Sequence, residues 1–274
     1  MKNTNRDVNV DFYRGIAILL VILGHTIETG TNNYKSTVAF SFIWAIQMPL
    51  FFLISGYVVK YSRPINSSKS LLELLKRRTI AYLLPWFVWT FVIRGFLFGQ
   101  ESLLKINYLL WNMDSGYWFL VSLWTISVIF AFSSYLASRV SLSSNINVEL
   151  ARIGIVLVCL FLLASLGLVM GFSFIAIKYS LFYFPFYYLG YIVSRLNSDR
   201  CTVFRLNFEA FTVFIFVYLI IRTPVYSLPD TVQAILLRAF ISIAGCVTIV
   251  SVLRSDSIFN SKVGGYLLCR QVFA

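Results

Sequence analysis

The chain carries one histidine, His25, inside its first hydrophobic segment and eleven residues after an arginine: Asp11-Phe-Tyr-Arg14-Gly-Ile-Ala-Ile-Leu-Leu-Val-Ile-Leu-Gly-His25. An ionisable side chain at the centre of a membrane helix costs at least about 2.5 kcal/mol, so a buried Arg and His point to a functional cavity more than to a packing choice. Eleven residues are close to three helical turns, which places Arg14 and His25 on one face, about 16 Å apart along the axis. Asp11 stands one turn before Arg14, within reach of an i, i+3 ion pair, and Glu28 stands at the same spacing after His25. A neutral imidazole is suited to taking a proton from a hydroxyl, with Glu28 to orient or tune it. The plainer reading of His25 is a histidine bonded to a neighbouring helix, or one lifted to the interface with Glu28 as its partner.

Further polar and aromatic groups recur at the edges of apolar runs. The second run contains Gln47-Met-Pro-Leu-Phe-Phe-Leu-Ile-Ser-Gly-Tyr57, where Pro49 removes a helix hydrogen bond and Ser55-Gly56 permits a bend or close helix approach. Kinked packing explains this motif, and a functional reading has Ser55 and Tyr57 lining a cavity that faces His25. The next loop ends Lys76-Arg77-Arg78-Thr-Ile-Ala-Tyr-Leu-Leu-Pro85-Trp86. Three adjacent cations there either anchor a span entrance or hold the phosphates of a donor. Trp118, in Asp114-Ser-Gly-Tyr-Trp-Phe-Leu, fits an interfacial aromatic belt, and Tyr183 sits in another aromatic-rich run where packing is the default and sugar stacking the alternative.

The elements that must position these residues follow from composition. With 59% hydrophobic, 18% aromatic and 12% charged residues and a mean hydropathy of +0.80, the chain is an integral membrane protein. At about 20 residues per span it is expected to be an all-α, polytopic bundle of eight spans plus a remainder, over 10–29, 38–60, 79–98, 116–138, 152–170, 174–194, 208–222 and 232–253. Nothing between them is large or polar enough to fold separately, so 1–274 reads as one membrane domain. Counting basic residues in alternate loops gives fifteen on the side of the N-terminus and four on the other, which places the N-terminus in the cytoplasm. The net charge of +12 sits between apolar segments and not on an aromatic-interleaved polar patch, which argues against nucleic acid. Cys159, Cys201, Cys246 and Cys269 have no C-x-x-C spacing, so neither a disulfide framework nor a metal site is implied. Lys2 and Arg6 before an apolar run mimic a signal peptide, but Arg14 interrupts the run and no small-residue cleavage site follows, so it reads as a retained span. After Lys262 the sequence runs Gly264-Gly-Tyr-Leu-Leu-Cys-Arg-Gln-Val-Phe-Ala274, which would cover about half a bilayer as a ninth helix.

Together these residues resemble the acyltransferase-3 family of bacterial membrane acyltransferases. The resemblance rests on Arg14 and His25 at their spacing, Pro49-Leu-Phe-Phe-x-x-Ser55-Gly56-Tyr57, the basic Arg77-Arg78 before Pro85, Trp118-Phe119-Leu120, and Tyr188-Leu-Gly190-Tyr191, in that order over roughly 8–195. It implies a multi-pass enzyme of the bacterial inner membrane that moves an acyl group, often acetyl from acetyl-CoA as co-substrate with no bound cofactor, onto a hydroxyl of a carbohydrate. The acceptor would be a surface polysaccharide or its lipid-linked precursor, with polysaccharide-assembly proteins as partners. His25 matches the essential histidine and Arg14 its companion, while Asp11, Glu28, Ser55, Tyr57 and Trp118 would support them. Lys76, Arg77 and Arg78 would bind the donor, although the family's Arg-x-x-Arg is incomplete because Ala81 follows Arg78 at its second position. Relative to the family the tail looks C-terminally truncated. The rival readings are a lipid-linked sugar flippase using Arg14, Arg94 and Arg238, and a family member that folds without catalysing.

Overall fold

Within a bilayer no water is at hand for backbone N–H and C=O groups, so a spanning segment must pair them internally, and a helix does so. The computed structural model describes residues 8–100, 105, 108, 111–113, 117–139, 145–195, 202–223, 225–228 and 231–253, and every regular element among them is helical. The long helices, in chain order, are α1 (Val8–Gly30), α2 (Val38–Tyr57), α3 (Ser68–Phe87), α4 (Trp118–Arg139), α5 (Asn145–Met170), α6 (Ile177–Arg195), α7 (Thr202–Arg222) and α8 (Val232–Leu253). The half-length ninth span expected after Lys262 lies outside the described residues.

Six helical stretches among the described residues are long and apolar enough to cross a membrane: Val10–Gly30, Val38–Tyr61, Ser68–Leu97, Trp118–Arg139, Asn147–Met170 and Val232–Ile249. The expected span over 174–194 forms helix α6, whose tyrosines, with Lys178 and Arg195, keep it below that standard. The expected span over 208–222 lies within α7, where Phe211–Arg222 is a shorter apolar stretch.

The third helix departs from expectation at both ends. It starts at Ser68, so Lys76, Arg77 and Arg78 lie two turns inside a helix and not in a loop. Ser67 caps it reciprocally: its hydroxyl accepts from the Ser70 N–H at 3.2 Å, and its own N–H donates to the Ser70 hydroxyl at 3.1 Å. Leu71, Leu72, Glu73, Leu74 and Leu75 then propagate the helix, all strong formers. Beyond Phe87 the chain winds on as a ten-residue π-helix, Val88–Leu97, shortly after Pro85 has withdrawn one backbone donor.

The chain forms two compact units, Met1–Lys60 with Phe186–Ala274, and Tyr61–Pro185. In the first, Ala45, Ile46, Leu50 and Ile54 of α2 meet Phe216 and Ile220 of α7 and Ile241, Ala244 and Cys246 of α8. Here α2 and the second half of α6 touch through their backbones. A Cβ built on Gly56 would overlap the Tyr187 carbonyl oxygen, and one built on Gly190 would overlap the Leu53 carbonyl oxygen and press on the Tyr57 amide at 3.0 Å. Helices have little hydrophobic reason to associate in lipid, so approach this close, possible only at glycine, is what holds the pair.

In the second unit α3 and α4 run antiparallel in a register set by three rungs. The Ser68 and Tyr135 hydroxyls are 2.8 Å apart, the Trp124 indole N–H donates to the Thr79 hydroxyl at 3.0 Å, and the Trp89 and Tyr117 rings meet edge-on at 5.3 Å. Ser180 of α6 donates to Ser122 of α4 at 3.2 Å.

The glycine contact makes a prediction. Gly56→Ala and Gly190→Ala must each force two backbones apart and should destabilise the protein by at least about 2 kcal/mol. Gly15→Ala and Gly154→Ala, where a Cβ meets nothing within 4 Å, should leave stability unchanged or raise it by about 0.5–1 kcal/mol. Thermal unfolding of the four variants in detergent measures the contrast; equal shifts would refute the packing account.

Candidate active site

Helix α1 presents its small residues to α2. Val10, Ala17 and Gly24, seven residues apart, form its buried seam. At Gly24 an added Cβ would come within 2.8 Å of the Gln47 Oε1 and 3.3 Å of Ile43. The short connection over 31–37 makes the two helices antiparallel, so this contact fixes which residues of α2 stand level with His25. They are Ile43 and Gln47. Ser55 and Tyr57 lie eight and ten residues further on, about 12–15 Å toward the Arg14 end, and so do not face His25 as the sequence suggested. Tyr57 accepts from Lys60 Nζ at 2.5 Å, and that ammonium sits 3.9 Å from its ring centroid.

Arg14 and His25 lie beside the seam, on the same flank of it, and each has its acidic partner. Arg14 Nη1 is 3.6 Å from Asp11 Oδ1, and His25 Nδ1 is 3.3 Å from Glu28 Oε2. Both i, i+3 pairs expected from spacing therefore form. The expected burial does not: the Arg14 side chain is 44% exposed and that of His25 72%. The physical reason is the seam itself, since turning Gly24 into α2 turns its neighbour His25 out along the helix surface. When Nδ1 carries the imidazole proton and donates it to Glu28, the Nε2 lone pair is left facing outward, ready to accept a proton. Thr29 and Thr26 spend their hydroxyls on the carbonyls of His25 and Ile22, both at 2.9 Å, which closes the end of the helix around the histidine.

Aromatic rings gather where α1 meets the next turn. Tyr34, Phe40, Trp44 and Tyr226 pack edge-on with centroids 4.9 to 6.2 Å apart, and the Lys35 ammonium lies 5.5 Å from the Tyr226 ring. The Tyr34 hydroxyl is pushed above its ordinary pKa, first by lost solvation, then by Tyr226 and the negative charge of Glu28. Arg238, an intramembrane cation in the sequence, donates from Nη2 to the Leu228 carbonyl and lies 5.9 Å from the Trp44 ring.

The remaining candidates belong to the second unit. Arg78 donates from Nη1 to the Tyr82 hydroxyl at 2.5 Å, while Lys76 and Arg77 stay exposed on α3. Trp118 stacks flat on Tyr179, 4.0 Å between centroids at 20°, and on Tyr183 at 5.4 Å and 17°. The aromatic run of α6 thus serves as backing for Trp118.

Two features escaped the sequence reading. Gln47 brings a carboxamide to the level of His25 with its Oε1 buried and unpartnered among the described residues. Its signal was there to use, as α2 holds no other carboxamide and no charge. The second is a pair of buried, unpartnered groups on Trp86 and Thr90. Thr90 lies in the π-helical stretch Val88–Leu97, which no spacing announces.

Comparison with known proteins bears on the site. The family model described as an acyltransferase domain matches residues 7–268. Nodulation protein NolL of Mesorhizobium japonicum is 29% identical over 206 residues, covering 70% of this chain and 48% of that protein. Nodulation protein NolL of Sinorhizobium fredii is 36% identical over 93 residues, covering 32% of this chain and 25% of that protein. The chain thus spans about half the length of the first of these relatives. No solved structure matches it. With Arg14, His25 and nearly the whole helical chain inside the matched region, the protein is a member of the acyltransferase-3 family of membrane acyltransferases.

Proposed function

We propose that the protein is an O-acyltransferase that moves an acyl group, acetyl in the simplest case, from acyl-CoA to a hydroxyl of a carbohydrate at the bacterial inner membrane. The observation that carries this reading is the His25–Glu28 pair, 3.3 Å apart, on the same helix as Arg14–Asp11. Glu28 holds the Nδ1 proton, and Nε2 removes the proton of the acceptor hydroxyl as its oxygen attacks the thioester carbonyl. The C–O bond forms, the C–S bond breaks, and the imidazolium returns its proton to the departing thiolate. No acyl-enzyme is required.

Arg14 stands about 16 Å from His25 along α1, too far to share the reacting atoms. Acyl-CoA is an extended molecule with phosphates at one end and its thioester at the other, so a cation and a base separated by this distance suit its two ends. With the N-terminus cytoplasmic, as the basic residues favour, Arg14 lies toward the side from which CoA arrives. The aromatic rings beyond His25 then lie on the acceptor side. A flippase would employ Arg238 as a head-group contact, but that guanidinium is committed to Leu228 and Trp44.

His25→Ala should cut acyl transfer to surface glycans by about 10²–10⁴-fold while the protein remains in the membrane. Mass spectrometry of surface glycans from cells with the gene, without it and with the variant reads this directly, and undiminished acylation in the variant would remove the mechanism. Arg14→Ala should raise the KM for acyl-CoA more than it lowers kcat, whereas Glu28→Gln should lower kcat by about tenfold or more with KM little changed, because the histidine loses the partner that selects its tautomer. A purified protein that binds no acyl-CoA but moves a labelled lipid-linked sugar between leaflets would replace this reading with the flippase.

A further inference from the structure

We infer that the second unit contains a subsite for a neutral sugar ring, built from Trp86, Thr90 and Trp118. Trp86 is 6% exposed and its indole N–H has no hydrogen-bond partner among the described residues; Thr90 is 1% exposed and its hydroxyl has none among them either. Polar groups shut away like this are costly, and at position 90 a valine would fill the same space without that cost. Hydroxyls elsewhere in these helices relieve it locally, as Thr125 does by donating to the Val121 carbonyl at 3.1 Å and Ser180 to the Ala176 carbonyl at 3.0 Å. Thr90, within the π-helical stretch Val88–Leu97, does not.

What surrounds the two groups selects the ligand. Trp86 packs in a cluster with Met113, Val121, Leu120, Ile175 and Trp118, and the register of α3 against α4 sets Trp86 and Thr90 level with the start of α4, where Trp118 lies. Trp118 is held flat by Tyr179 and Tyr183, the geometry of a stacking platform. Ile175 and Ala176 border the cluster in the left-handed region at φ +49° and +51°, a strained backbone for residues with side chains. The side chains that pack on Trp86 in this cluster are apolar or aromatic. An aromatic face with an N–H and a hydroxyl beside it suits the apolar face and ring oxygens of a pyranose, while a phosphate or carboxylate would be desolvated there without a counter-ion. Identifying the occupant as the acyl acceptor rests on the transferase reading; binding of the sugar does not.

The test is ligand binding by the purified full chain in detergent, read by saturation-transfer NMR with methyl glycosides of neutral hexoses, deoxyhexoses and N-acetylhexosamines, and with methyl glucuronide as the anionic control. At least one neutral glycoside should bind, more tightly than the glucuronide. Trp86→Phe and Thr90→Val should each weaken it by about three- to tenfold, and Thr90→Val, which is nearly isosteric, should leave the Tm of the unliganded protein unchanged or raised. The proposal is overturned if no neutral glycoside binds, if the double variant binds as the parent does, or if Thr90→Val lowers the unliganded Tm, which would make its hydroxyl structural. Intact sugar binding by the parent protein, should that parent acylate no glycan, would remove the transferase reading and leave the subsite standing.

Discussion

Everything in the first unit depends on the backbone contact between α2 and the second half of α6. Between helices in lipid the usual hydrophobic gain is missing, because the tails are as apolar as leucine, and close van der Waals approach must take its place. Gly56 and Gly190 allow that approach by presenting no side chain to the Tyr187 and Leu53 carbonyls. With α2 fixed in this way, its Ile43 and Gln47 form a fixed surface for Gly24 of α1. The rotation of α1 is thereby set, and with it the direction in which His25 and Arg14 point.

The distribution of polar groups separates scaffold from site. Thr79 and Trp124, Ser122 and Ser180, and Ser68 and Tyr135 pair across helices, and Thr125, Ser133 and Thr248 bond to the backbone of their own helix. Interhelical bonds of this kind contribute about 0.6 kcal/mol each on average in membrane proteins. An unpaired buried group costs about 1–3 kcal/mol, so Gln47, Trp86 and Thr90 each outweigh one such bond or more. Against a net stability of about 5–15 kcal/mol those are large concessions, of a size that selection for stability alone would remove.

The sequence disclosed what is local to one helix. The Arg14 to His25 stripe and both i, i+3 partners follow from helical periodicity alone, so spacing was enough to find them. The Gly56 and Gly190 motifs were visible as motifs, and close approach at Ser55-Gly56 was among the readings, but the partner helix could not be named. What required tertiary contact stayed hidden. The exposure of His25 depends on which face of α1 meets α2, the place of Ser55 and Tyr57 depends on the register of that pair, and the stacking of Trp118 on Tyr179 joins residues 61 positions apart. The early start of α3 was missed for another reason. Its first two turns are too polar to count as a span, although Ser67 and Ser70 spell a cap.

A rigid helix also constrains what the two pairs can do. Because α1 is continuous from Val8 to Gly30, the distance between Arg14 and His25 cannot close by local motion, and no single small substrate can touch both. Any mechanism that uses the two together therefore needs an elongated substrate or two substrates that meet along the helix. A thioester carried at the end of a long phosphorylated arm is one such ligand, and a hydroxyl arriving beside His25 supplies the other reactant. The outward exposure of both side chains brings them to one helix surface, and the seam against α2 keeps that surface from turning.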